Sequence, residues 1–441
     1  MAQMVPGSHL DAWPSWYPAH PSVKVHSEDH RKLIDSYISV VHASFPMLDL
    51  SLLREEPSPT FIPFCGAVYT LSHNFVSDLS PSCRQDIKQW RDFLYQVLFI
   101  EARHPRLETL EAWLCFLQRY PIIHRAPTTP GLWSEIGSLV GASHDLGINV
   151  DPTDWEIDQS QKSRRIRIAW ALFTTDKWAA LGLGRPSYIS RDDWSVPMVM
   201  ESDFPDIETT PCAKTIFIAM AKLSVILAEV LHQFYTIRAQ RKIQSMPVED
   251  LLQLLSEFEE SLDSFARTVL EPLRVLALSA SSSGTLIDSS GTVELAHQTL
   301  EIVIYRAVLR HLPAEASHPV RERARQSLAR AVEFLGGLQV GRLRAYWWEP
   351  ISRINFAIIG SFMFSMRLTS VEEAEVAYWT VRIDQYRRLL ELHSVGFEIT
   401  RLAALRLGLL TSVTEETELN NEPDPMFEFE LWDFAFDMGI C

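Results

Sequence analysis

Residues 107–121 read LETLEAWLCFLQRYP. Leu107, Leu110, Trp113, Leu114 and Leu117 recur three and four positions apart, which puts them on one face of an α-helix. Pro121 has no backbone N–H to give and closes that helix. The same period continues in both directions. Before it, Leu33, Ile34, Tyr37, Ile38 and Val41 share a face, and so do Ile87, Trp90, Leu94 and Val97. After it, Trp133, Ile136, Leu139, Val140 and Ser143 line another helix, with Gly147 where a left-handed C-terminal cap belongs. Further helices are predicted at about 162–181, 213–239, 248–270, 293–311, 320–339, 350–368, 371–394 and 397–411. Alternating strand patterns are nearly absent. The expected fold is all-α, a large irregular helical body of roughly a dozen helices.

The chain has 441 residues, 47% of them apolar and 22% charged, enough to bury a sizeable core. Lys plus Arg total 40 against 56 Asp plus Glu, a formal charge of −16. So acidic a chain is a poor binder of nucleic acid by itself, because phosphate contacts need positive surface. The five Cys (Cys65, Cys83, Cys115, Cys212 and Cys441) are scattered and form no CxxC pair, which fits a reducing compartment and no zinc module. The start shows no export signal. The apolar run Phe356–Phe364 is too short to span a membrane and reads as a core helix, so no membrane is expected.

Composition divides the chain into five stretches. Residues 1–30 carry Pro6, Pro14, Pro18 and Pro21 among Trp13, Trp16 and Tyr17, which reads as an extended N-terminal arm. Residues 31–278 form the main helical region. Residues 279–292, SASSSGTLIDSSGT, are a linker or an inserted loop, and 293–413 continue the helical body. Residues 414–441 hold nine acids and no Lys or Arg; without them the formal charge would be −7. Phe427, Phe429, Trp432, Phe434 and Phe436 alternate with those acids, the pattern of an activation segment that offers hydrated aromatics to a partner. The opposite reading docks this tail on its own body.

Signals for catalysis are weak. There is no GxSxG, GxxxxGK[ST] or HExxH, and Gly182-Leu183-Gly184 follows a helical pattern rather than a strand. His26 and His30 are four apart, a spacing that can chelate a metal on a helix, but their polar setting reads as a solvated turn. His42, His144 and His393 read as hydrogen-bonded core or rim histidines. Arg164, Arg165 and Arg167 form the densest basic run and read as the charged outer face of a helix, or as holders of acids within the protein. No catalytic, cofactor or metal residue is expected, and the chain reads as no enzyme.

Three stretches carry a resemblance: YISVVHASFPML at 37–48, LVGASHDLGINVDPTDW at 139–155 and RRIRIAWALFTTDKWAALGLGRPSYISRDDWSVP at 164–197. Their order resembles the regulatory middle homology region of fungal zinc-cluster transcription factors. The matching residues are His42, Ser44, Phe45 and Pro46, then Leu146, Gly147, Asp151, Pro152 and Trp155. Arg164, Arg165, Trp170, Asp176, Gly184, Arg185, Pro186, Asp193, Val196 and Pro197 follow. AYWWEPISRINFAIIGSFMF at 345–364 resembles one branch of that family, the nitrogen-utilisation co-activators. The resemblance spans roughly residues 31–411.

The motif residues themselves read as structural. Gly147 ends a helix, Asp151-Pro152 starts a turn, and Gly184-Arg185-Pro186 breaks the helix that carries Asp176. An ion pair of Arg185 with Asp176 or Asp193 is expected to lock that bend. The resemblance implies a transcription regulator or co-activator in the nucleus, working with other transcription factors and the transcription machinery, with room for a small effector. The family's six-Cys zinc cluster cannot be built from five scattered Cys, so direct DNA binding is not carried over. The alternatives are a zinc-cluster factor truncated or started late, and a helical small-molecule-binding protein or enzyme with no recognisable site.

Overall fold

The computed structural model describes residues 27–53, 62–119, 131–205, 209–282 and 287–419, together with Pro18. Among them there are helices and loops and no strand. The chain forms two compact units. The first comprises Met1–Tyr120, Gly131–Asp176 and Tyr188–Ala221; the second comprises Pro121–Pro130, Lys177–Ser187 and Lys222–Cys441.

The first unit opens with α1 (Ser27–Ser36), α2 (Ile62–Ser72), α3 (Pro81–Glu101), α4 (Leu107–Leu117) and α5 (Leu132–Asp145). The sequence pattern passes over α2. Its residues Pro63–Ser72 are all buried, so it has no polar stripe to betray a period. It packs against α1, α3 and α4. A methyl group at Gly66 would sit 2.7 Å from the Trp90 ring, so this glycine lets the α3 indole lie against the α2 backbone. The start of α3 is fixed by Ser80, whose hydroxyl accepts from the Cys83 N–H, with Pro81 at the first helical position. Asp29 of α1 accepts from the same Ser80 hydroxyl at 2.7 Å.

α6 (Gln159–Leu183) and α7 (Pro211–Val230) are the long helices that follow. Residues Ser163 to Gly182 of α6 are buried on every side. α7 continues through a π-helical turn at Leu231–Tyr235. Pro211–Tyr235 is, by length and composition, the one stretch of the described residues able to cross a membrane. An unbroken-run criterion passes over it, because Lys214, Lys222 and Glu229 interrupt the apolar residues. Ile216, Phe217, Met220, Leu223, Leu227 and Val230 are fully buried at helical spacing, which is how a core helix uses such a sequence.

The second unit contains α8 (Ile237–Gln244), α9 (Val248–Phe265), α10 (Glu271–Ser282), α11 (Gly291–Leu309), α12 (Ala314–Gly336), α13 (Val340–Leu343), α14 (Glu349–Leu368), α15 (Glu373–Ser394) and α16 (Arg401–Leu419). α9 buries Leu251, Leu255, Phe258, Leu262 and Phe265 and faces water elsewhere. A π-helical turn at Ala266–Leu270 joins it to α10, which reaches into the Ser-rich segment as far as Ser282. α14 is the centre of this unit and packs on α11, α15 and α16. The run Phe356–Phe364 within it is a core helix, with every apolar member buried. Trp348, just before α14, holds φ at +50°, a conformation that costs a side-chain-bearing residue about 1–2 kcal/mol. Complete burial of its indole offsets that strain.

Candidate functional site

α6 gathers the motif segments of the first unit. Arg164 forks onto Glu111 of α4, with Nε to Oε1 at 2.8 Å and Nη2 to Oε2 at 2.5 Å, and also reaches Glu108 at 2.8 Å. Arg165 donates to the carbonyl of Leu146 at 2.8 Å and lies 4.8 Å over the Trp155 ring. Arg167 donates to the carbonyl of Met47 at 3.0 Å and to that of Asp203. One turn on, the Trp170 indole N–H donates to the carbonyl of Pro197 at 2.7 Å. Asp176 accepts the backbone N–H groups of Tyr188 at 2.8 Å and Ile189 at 3.3 Å. Each stretch that carried the resemblance is thus fastened to this one helix.

All three arginines are buried, Arg167 to 2% exposure, so they are not the outer face of a helix. The apolar residues Ile166, Ile168, Ala169 and Leu172 surround them in sequence and make α6 buried all round. Those apolar residues, falling on every face of the helix, were the readable sign that these charges point inward. Burial opposes the charge on Arg164, but its hydrogen bonds to Glu111 more than offset this and hold its pKa above the usual arginine value. Glu111 is completely buried, so the pair is a carboxylate matched by a two-pronged cation in a dry site. Beside it, burial and then the Arg167 charge lower the pKa of His42 to about 4, and its Nε2 lies 3.2 Å from the Thr209 hydroxyl.

The loops at the ends of these contacts follow local rules. Gly147 has φ +64° and the Ile148 N–H returns to the Ser143 carbonyl at 3.0 Å, the left-handed cap that the sequence predicts. Asp151 accepts from the Thr153 N–H at 2.9 Å and opens the turn. Gly184, at φ +60°, ends α6. The expected Arg185 ion pair does not form: Arg185 is exposed and has no ion pair among the described residues. The bend is held by main-chain donors instead, through Asp176 and through the Arg185 N–H to the Ala180 carbonyl at 3.0 Å. Tyr188 then stacks on Trp133 at 4.1 Å.

The second unit holds a groove of about 1450 Å³ that sequence reading does not reveal. Its apolar floor comes from Phe234 and Tyr235 in the π-helical turn and from Phe362 and Met366 of α14. Arg306 of α11, Arg310 at its C-terminal cap, and Arg321 and Arg325 of α12 line it, with Glu375 and Tyr378 of α15. Arg321 pairs with Glu375 at 2.8 Å and donates to the Thr369 hydroxyl at 2.9 Å. The Arg325 guanidinium lies 4.1 Å over the Tyr378 ring. Arg310 and Arg325 are exposed at the rim, and burial lowers the pKa of His311 next to them. These residues come from five separate stretches, so no local motif announces them.

The sequence pattern described as "Fungal specific transcription factor domain" matches residues 34–266, a little over half of the chain. The chain belongs to this fungal transcription factor family. Its relatives carry the corresponding names. The chain is 23% identical to the transcriptional activator protein DAL81 of Saccharomyces cerevisiae, over 88% of its own length and 44% of that protein. It is 24% identical to an uncharacterized transcriptional regulatory protein of Schizosaccharomyces pombe, over 86% of its length and 56% of the relative. A shorter match, 31% identical over 116 residues, is to cutinase transcription factor 1 alpha of Fusarium vanettenii. The chain spans about half the length of the first two relatives. No solved structure matches it. The family match contains the α6 clamp and only the Phe234, Tyr235, Gln240 and Gln244 side of the groove.

Other residues singled out from the sequence separate in the same way. His30 lies 2.5 Å from the Tyr69 hydroxyl, and His26 lies outside the described residues. His393 meets the Leu335 carbonyl at 3.0 Å, whereas His144 is exposed. Among the described residues no group of His, Cys, Asp or Glu is placed to hold a metal. Burial pushes the Cys65 thiol up to about 12 and the Cys83 thiol to about 11, which keeps both in the unreactive form. Phe427, Phe429, Trp432, Phe434 and Phe436 lie outside the described residues.

Proposed function

We propose that this chain is a nuclear transcription regulator that works through protein partners, with residues 414–441 as its activating segment. Family membership over residues 34–266 carries the reading. The charge balance supports partner-mediated recruitment: the chain has a formal charge of −16, or −7 without residues 414–441, and its densest basic run is buried. DNA recognition then comes from the factor it joins. The α6 clamp is structural, holding main-chain carbonyls and a buried carboxylate, and it has no part in chemistry on a substrate.

Phe427, Phe429, Trp432, Phe434 and Phe436 are the residues proposed to meet the transcription machinery. The flanking acids keep them hydrated until a partner groove buries them. The AYWWEP stretch supports the nitrogen-utilisation branch as the setting. Residues 414–441 fused to a neutral DNA-binding domain should activate a reporter, and replacing the five aromatics by Ala should abolish activation. A fusion that stays silent, or that activates equally without its aromatics, would remove the tail from the proposal.

A further inference from the structure

The groove and the acidic tail match in chemistry and in place. Gly360 of α14 marks a level at which three helices meet. A methyl group there would touch Tyr386 of α15 at 3.4 Å and Leu407 of α16 at 3.5 Å. The short connection 395–400 reverses the chain, so α15 and α16 run antiparallel. From that level Leu407 to Leu419 and Tyr386 to Ala374 are both twelve residues. At 1.5 Å per residue each path covers about 18 Å. The end of α16 therefore comes level with the start of α15, where Ala374, Glu375 and Tyr378 line the groove. Residues 420–441 leave from this point. Fully extended, those 22 residues reach up to about 70 Å, far more than the groove requires.

We propose that residues 420–441 dock back into this groove of their own chain. The segment has six acids, five aromatics and no Lys or Arg. The groove has four arginines against three glutamates, with Arg321 paired to Glu375 and Arg325 at 3.7 Å from Glu322, over a floor of Phe234, Phe362 and Met366. Acids align with Arg310 and Arg325 at the rim, and aromatics rest on the floor. Opposite charge sets the register, and the apolar contact supplies the hold. A docked tail is withheld from partners, so the groove would set how much of the chain is competent to activate. Only that consequence rests on the activation reading; the contact itself is tested without transcription.

The test is limited chymotrypsin digestion of the full chain, following release of C-terminal fragments by mass. Rates are normalised to a free peptide of the same tail sequence. Arg310→Glu with Arg325→Glu, both on exposed positions, should lower the thermal unfolding temperature only slightly and speed tail cleavage about tenfold at low salt. Changing Glu428, Glu430 and Asp433 to Lys should speed cleavage in the otherwise native chain. The same three changes should slow it again when combined with the two arginine reversals. Protection should not vary on dilution. Equal cleavage in all four chains would overturn the proposal. Protection lost on dilution would also overturn it, because the occupant would then be the tail of a second copy. The reporter result is independent: a tail that activates when fused but is never protected here sinks the docking alone.

Discussion

The two units use arginine in opposite ways. In the first, Arg164, Arg165 and Arg167 lie on one buried helix, and their donors end on fixed partners inside the fold. In the second, Arg310 and Arg325 stand exposed at the lip of a groove. A buried cation must be matched in place or the fold loses several kcal/mol, so the first set specifies one arrangement of loops. An exposed cation is worth little to stability, and its field reaches outward into solvent. The same residue type therefore builds architecture in one unit and recognition surface in the other.

The largest effect expected from this contrast is at Glu111. Glu111→Ala leaves the buried Arg164 with only the part-exposed Glu108 as its carboxylate and should cost about 3 kcal/mol, read as a lower urea midpoint. A loss below about 1 kcal/mol would mean that water reaches the pair and that the clamp is no different from the rim. The next effect is in pH. His42 stays neutral in the fold down to about 4, whereas its ordinary value is 6.5. Its contribution is complete above pH 6.5 and is lost as pH falls through that window towards 4. The loss should be on the order of 3 kcal/mol. Comparing urea unfolding of the native chain and of His42→Asn at pH 7 and pH 4.5 checks this, since the variant should lack that part of the slope.

A third expectation is finer. Arg167→Lys keeps the charge but loses the planar fork that reaches two carbonyls, and should cost about 2 kcal/mol. Full retention of stability would show that charge alone holds the 42–48 turn. At the small end, Arg325→Ala removes an exposed stacking contact with Tyr378 and a long surface ion pair with Glu322, and should change stability by less than about 1 kcal/mol. A larger loss would move Arg325 from the recognition set to the architectural one.

Much of the helical framework was legible because most helices keep one wet face. Leu107–Leu117 is bounded as its apolar period indicates, and Gly147 caps α5 as predicted. The failures share a cause. α2 is buried on all sides, so its pattern has no period; its Pro63 sits in the first turn, where no N–H is missed. α12 starts at Ala314, earlier than its apolar residues suggest, and carries Pro319 inside it. Of the two readings of the basic run, the structure discards the outer face and keeps the holding of acids within the protein, through Arg164 on Glu111 and Glu108; the apolar residues around the run could have decided between them. The groove was invisible because its lining comes from the π-helical turn after α7 and from α11, α12, α14 and α15, and only folding brings them together.

The clamp on α6 also bears on how such a chain can diverge. Arg165 and Arg167 hold the carbonyls of Leu146, Met47 and Asp203, and Trp170 holds that of Pro197. A carbonyl is the same acceptor whichever side chain its residue bears. The clasped loops are therefore free to exchange side chains over generations while their order along the chain stays fixed. Such a scheme lets a fold persist between sequences that agree at fewer than one position in four, as this chain and its yeast activator relative do.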